Sequence, residues 1–179
     1  MVYLGSDHRG FALKEKIKQW LSDWNYQYED CGAFSYDKDD DYPDFVHKAA
    51  RAVANDPEQN RGIILGGSGQ GEAMVANRYK GVRAAVFYGP PFQFSILSKK
   101  KWLLIFGAGG ATGVFEKMQL DTVEQLIRLS REHNNANVLS LGASFMNYES
   151  AKKIIKLWLD TSFSNEIRNK RRVEKIDEM

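Results

Sequence analysis

Short apolar runs alternate along this chain with longer amphipathic stretches, and this alternation restricts the fold more than any other feature. Parallel strands need long crossover connections, usually helices, which then cover both faces of the sheet. Val2-Tyr3-Leu4 reads as a first strand ending at Gly5-Ser6-Asp7-His8, and residues 26–31 read as a second. Between them Leu13, Ile17, Trp20, Leu21 and Trp24 recur at helical spacing. Pro43 suits the first turn of a helix that carries Phe45, Ala49, Ala52 and Val53 inward. Gly62-Ile63-Ile64-Leu65 predicts a buried strand running into a glycine-rich loop, then a helix from about Glu72 to Tyr79 that stops at Gly81. Val82 to Tyr88 and Val138 to Leu141 supply strands four and five, with helices around 122–132, 148–160 and 164–177. Thr122-x-x-Gln125 offers a capping box to the first of these. The pattern is that of an α/β fold on a parallel five-stranded sheet.

The 179 residues fit one domain with a core of ordinary size. Residues 89–121 interrupt the alternation with Pro90-Pro91, Lys99 to Lys101 and Gly107 to Gly113, and read as an insertion. With 43% hydrophobic and 27% charged residues the chain has a globular profile. A formal charge of +2 gives no reason to expect a nucleic-acid partner. Cys31 is the only cysteine, which excludes an internal disulfide and fits a reducing compartment. There is no apolar run of membrane-spanning length and no signal-peptide pattern, so the expectation is a cytoplasmic protein with no membrane partner.

In an open parallel sheet, ligands bind beyond the carboxyl ends of the strands. Three polar groups of residues are expected to converge there: Asp7-His8-Arg9, the loop Gly66-Gly67-Ser68-Gly69-Gln70-Gly71-Glu72, and the region of His133-Asn134. The glycine loop turns backbone N–H groups toward an anion with help from a helix N-terminus. It matches neither the dinucleotide fingerprint nor a P-loop, which lacks its lysine here, so the loop leaves nucleotide binding open but gives it no support. Glu72 has two readings, a catalytic base or a carboxylate that favours a helix start. Gly107 to Gly113 lacks a following βαβ unit and reads as part of the insertion. Of three histidines, His47 sits beside apolar positions and reads as structural, while His8 and His133 sit in polar loops. Their spacing, with a single cysteine, gives no metal site. Arg168 and Arg172 share one face of the last helix, either as a phosphate clamp or as partners of surface carboxylates.

Taken in order, several segments resemble the ribose-5-phosphate isomerase type B family, which includes the galactose-6-phosphate isomerase subunits. They are Gly5 to Phe11 with Leu13-Lys14, Asp39-Asp40-Asp41-Tyr42-Pro43, Gly66 to Glu72, Ala76-Asn77-Arg78, Gly81 to Ala84, Arg131 to Leu139, and Arg168 to Arg172. The resemblance spans nearly the whole chain except about 89–121. It implies a Rossmann-like three-layer α/β/α sandwich, working as a homodimer or dimer of dimers with the active site between subunits. It implies reversible isomerisation of ribose 5-phosphate and ribulose 5-phosphate through a cis-enediol, in the pentose phosphate pathway, without metal or other cofactor.

By position, Glu72 resembles the proton-shuttling base. Many family members carry a cysteine at the position of Gly66, so this chain looks like the glutamate-using subgroup. Ser68, with Gly67, Gly69 and Gly71, resembles the part that stabilises the enediolate oxygen, and such donors are each worth about 3–4 kcal/mol. Asp7, Tyr42, His133 and Asn134 match positions that open the sugar ring and hold its hydroxyls. His8, Arg168 and Arg172 match phosphate contacts, the arginines coming from the partner subunit. Ser144 stands where the family usually has a phosphate-binding arginine, a loss of about 1.5–3 kcal/mol unless Arg9 or one of Lys99 to Lys101 replaces it. This departure and the insertion leave two other readings open: an isomerase of a six-carbon aldose 6-phosphate of the allose or galactose type, and a non-catalytic phosphosugar-binding protein.

Overall fold

The computed structural model describes residues 1–89 and 123–179. The Thr122 capping box, the lysines at 99–101, the 107–113 glycine run and nearly all of the 89–121 stretch lie outside them. Strands β1 (Val2–Ser6), β2 (Tyr28–Asp30), β3 (Arg61–Gly66), β4 (Ala84–Phe87) and β5 (Val138–Gly142) form a parallel sheet in the order β2-β1-β3-β5-β4. Helices α1 (His8–Asp23), α2 (Pro43–Ala54), α3 (Gln70–Ala76), α4 (123–132), α5 (Tyr148–Asp160) and α6 (Ile167–Asp177) connect and cover it. The chain builds outward from β1 to β2, then returns to β3 on the other side. The strand order therefore reverses between β1 and β3.

Successive side chains of a strand point to opposite faces, and β3 shows how this makes three layers. Ile63 and Leu65 join a core with Leu13, Ile17 and Leu21 of α1, Ile127 of α4, and Ile154 and Trp158 of α5. Ile64 points the other way, into a core with Val46, Ala49 and Val53 of α2 and Ala76 of α3. The inward stripe of α2 is Val46, Ala49, Ala50 and Val53, the i, i+3, i+4, i+7 set, so Phe45 and Ala52 are only half-buried, against expectation. Phe45 instead lays its ring beside Gly32, where an added Cβ would come within 2.6 Å of it. The last helix begins at Ile167, not at 164.

Lys14, on the buried face of α1, has no solvent exposure. Its ammonium donates to the Ala33 carbonyl at 2.7 Å and pairs with Asp30, which also accepts from Gly32 N–H and Lys18 Nζ, both at 3.0 Å. Burial alone would raise the Asp30 carboxyl, but the Lys14, Gly32 and Lys18 donors outweigh it and hold the pKa below its ordinary value. Its stabilisation is thus present above the ordinary value of 3.8 and lost as the pH falls. This network ties the segment after β2, which carries Asp40 and Tyr42, to α1. Lys14→Met strands part of a buried ion pair, and chemical denaturation should register a loss of about 3 kcal/mol.

Candidate active site

The reversal point between β1 and β3 places the turns Asp7-His8 and Gly66 to Glu72 side by side. Gly69 adopts the left-handed backbone conformation at φ 73° and forms the N-cap of α3. A Cβ there would stand 2.9 Å from the Leu141 carbonyl carbon of β5, so the loop runs directly on the neighbouring strand. Ser140 Oγ donates to the Gly69 carbonyl, and Ser68 Oγ accepts from Gln70 N–H at 3.3 Å. Because the chain turns at Gly69, α3 begins at Gln70 and ends at Ala76, earlier at both ends than expected. Glu72 therefore lies within its first turn.

The Glu72 side chain curls back over the end of β3. A Cβ built on Gly66 would lie 1.6 Å from Glu72 Oε1 and 2.3 Å from Cδ, so the carboxylate fills the space a side chain at 66 would need. Glu72 is only 4% exposed. Burial pushes its carboxyl above the ordinary value and the nearby Asp7 charge adds to this, against a lowering hydrogen bond from its own backbone. A raised carboxyl pKa suits a group that must both take and return a proton. Cys31, the other conceivable base, lies in the α2-side core, where burial and the charges of Glu29 and Asp30 push its thiol up to about 11.

Asp7 caps α1, accepting from Arg9 N–H at 2.9 Å and Gly10 N–H at 3.1 Å. His8 follows, and its Nδ1 sits 2.6 Å from Asp40 Oδ1, which also accepts from His8 N–H at 3.0 Å. Asp40 thus fixes the orientation of the His8 ring. The acidic run Asp39 to Asp41 was visible in the sequence, but only the fold shows which of the three reaches His8. Tyr42 precedes α2, and its hydroxyl leans on α3 where Gly71 offers no side chain: a Cβ there would be 2.6 Å from Oη. Asp7, His8 and Asp40 offer ligand-type atoms within 4.8 Å of one another. Asp7 Oδ1 is already occupied by the α1 cap and His8 Nδ1 by Asp40.

His133 and Asn134 do not join this group, which corrects the expected convergence, and Arg168 and Arg172, expected from a partner subunit, lie away from it too. His133 and Asn134 precede β5, at its amino end, whereas the glycine loop follows the carboxyl end of β3. Asn137 marks that amino end, bonding through Nδ2 to the carbonyls of Gly81 and Pro57, while its own carbonyl accepts from Gly62 N–H. The 6 residues of β3 lie between the two regions, a separation of roughly 17 Å along the strand. The same end holds α6: Ser164 N–H bonds to the Glu132 carbonyl, and Asp177 pairs with Arg83 at 2.8 Å. Arg168 and Arg172 are exposed and form no ion pair among the described residues. A parallel sheet puts everything before a strand at one end and everything after it at the other. One chain therefore carries these two groups of polar residues at opposite ends of its sheet.

The ribose/galactose isomerase family profile matches residues 2–92 and 120–176, leaving unmatched a stretch inside the expected insertion. Ribose-5-phosphate isomerase B of Mycolicibacterium paratuberculosis is 36% identical over 177 residues, covering 99% of this chain and 89% of that protein. The Escherichia coli ribose-5-phosphate isomerase B is 30% identical over 98% of this chain and 93% of its own length. The structure of ribose-5-phosphate isomerase B from Mycoplasma genitalium with bound ribulose 5-phosphate aligns with a TM-score of 0.77 at 29% identity, covering 99% of this chain and 93% of that one. The Thermotoga maritima ribose 5-phosphate isomerase structure aligns at 0.74 with 32% identity, over 99% and 97%. Sheet order, glycine loop and these matches agree: the chain belongs to the ribose/galactose isomerase family.

Proposed function

We propose that this protein interconverts ribose 5-phosphate and ribulose 5-phosphate, with Glu72 moving the proton between C1 and C2 of an enediolate. The observation that carries this reading is the buried Glu72 carboxylate held in the space left by Gly66. A desolvated carboxylate beside Asp7 is more basic than one in water, so it removes the weakly acidic proton next to the sugar carbonyl more readily. Ser68, with the backbone of Gly67, Gly69 and Gly71, lines the place where the enediolate oxygen develops charge. Tyr42 and Asp7 hold the sugar hydroxyls, and Asp7 works with His133 in opening the ring. His8, oriented by Asp40, faces the phosphate.

His133, Asn134, Arg168 and Arg172 then act from a second copy of the chain, since in their own subunit they sit at the far end of the sheet. A two-fold homodimer brings each half-site to the other's complement and makes two sites. Among the described residues no helix is long and apolar enough to cross a membrane, which is compatible with work in the cytoplasm, in the pentose phosphate pathway. The direct test is a coupled assay over phosphorylated five- and six-carbon aldoses and their free sugars, together with solvent-proton exchange at C2. Ribose 5-phosphate is expected to give the highest kcat/KM. Preference for a six-carbon phosphate would reassign the substrate, and binding without exchange would leave a phosphosugar-binding protein.

A further inference from the structure

We propose that Arg9 is the cation with which a subunit's own half-site holds the substrate phosphate, an inference that rests on the phosphosugar reading above. The N-terminus of α1 would ordinarily attract an anion through its free amides. Here those amides are taken: His8 N–H by Asp40, and Arg9 N–H and Gly10 N–H by Asp7. Two carboxylates capping this turn, with Glu72 beyond them, leave an edge that repels a dianion unless side-chain cations offset it. Across residues 6–10, 66–72 and 142–145 of this edge, Arg9 is the one lysine or arginine, and the loop that carries Asp40 adds only Lys38, which pairs with Asp39.

The position of the Arg9 stem fits the task. Its Cγ and Cδ lie 3.7 Å from where a Cβ on Gly67 would stand, and Ser144 Oγ lies 3.8 Å from the same point. Ser144 N–H also donates to the Gly67 carbonyl at 3.2 Å. The stem thus runs along the rim of the glycine loop. The side chain is exposed, and it makes no hydrogen bond or ion pair with another described residue. A guanidinium fork at the rim of the glycine loop suits two-point contact with phosphate oxygens.

The test measures KM in the active enzyme and inorganic phosphate binding by calorimetry in the Glu72→Gln background, which needs no turnover. Arg9→Ala should raise both KM for ribose 5-phosphate and Kd for phosphate by about ten- to a hundredfold, with the loss concentrated in KM rather than kcat. Arg9→Lys should lose less, and KM for an unphosphorylated aldose should not follow. Ser144→Arg should change little in the wild type but recover most of the loss in Arg9→Ala, because it projects from the same side of Gly67. Lys16→Ala, which removes an exposed charge farther along α1, controls for general attraction. An Arg9→Ala enzyme within about twofold of wild type in both measurements, or an equal effect of Lys16→Ala, overturns the proposal. If the wild type isomerises no phosphorylated aldose, the functional reading fails separately. Arg9-dependent phosphate binding would then still mark an anion site, and its absence would sink the inference itself.

Discussion

Replacing Gly66 with alanine is expected to silence the enzyme while leaving it folded. The backbone at Gly66 is not in the left-handed region, so alanine meets no conformational barrier there. What its methyl group meets is the far end of a flexible side chain, Glu72 Oε1 at 1.6 Å. The carboxylate swings away at modest cost, and unfolding free energy should stay within about 1 kcal/mol of wild type. Activity should fall about 10²–10⁴-fold, as in Glu72→Gln, because a displaced base and an absent base are equivalent to the substrate. The double variant should be no worse than either single one, the non-additivity of two changes to one device. A Gly66→Ala enzyme near full kcat/KM would mean that the carboxylate does not work from this position.

The same glutamate links activity and stability to pH in opposite directions. Its carboxyl is raised above the ordinary 4.5, chiefly by burial, so the acid limb of kcat/KM should fall above that value as the base is protonated. A raised pKa in the folded state contributes stability that is present at low pH and lost as the pH climbs through the raised value. Glu72→Gln removes that loss. It should melt higher than wild type near neutrality, with the difference closing as the pH approaches 4.5.

Mixing two inactive variants should restore activity. In the proposed homodimer Glu72→Gln and His133→Ala each damage both sites, yet a mixed dimer contains one site with Glu72 and His133 both intact. Random re-association after mild dissociation should recover about a quarter of wild-type activity, since about half the dimers are mixed and half their sites are whole. Arg168→Ala/Arg172→Ala should complement Glu72→Gln in the same way. No recovery from verified mixed dimers would place all the working residues in one subunit, against the geometry of the parallel sheet.

That geometry shows where the sequence was legible. The apolar runs at 2–4, 62–65 and 138–141 reported their strands because central parallel strands are buried on both faces, and Leu13, Ile17 and Leu21 reported α1 because a covering helix needs one continuous stripe. The glycine loop and Glu72 were local patterns and equally readable. What local patterns omit is direction. Asp7 and Gly66 follow their strands while His133 and Asn134 precede theirs, and the expectation of a single convergence overlooked this. Asp40 was hidden for a related reason: of three consecutive aspartates, only the course of the loop held by Lys14 and Asp30 decides which one meets His8. Arg9 was one of four cations named as replacements at Ser144, but its closeness to Ser144 spans more than a hundred residues of chain and is visible only in the fold.

The shared space of Gly66 and Glu72 also bears on how such an enzyme changes over time. Any residue larger than glycine at 66 displaces the glutamate, so a catalytic side chain at 66 and the one at 72 are mutually exclusive occupants. A lineage passing from one base to the other by single substitutions crosses an impaired intermediate, whichever position changes first. Homologues should accordingly vary at 66 and 72 together, with glycine at the first wherever glutamate serves at the second.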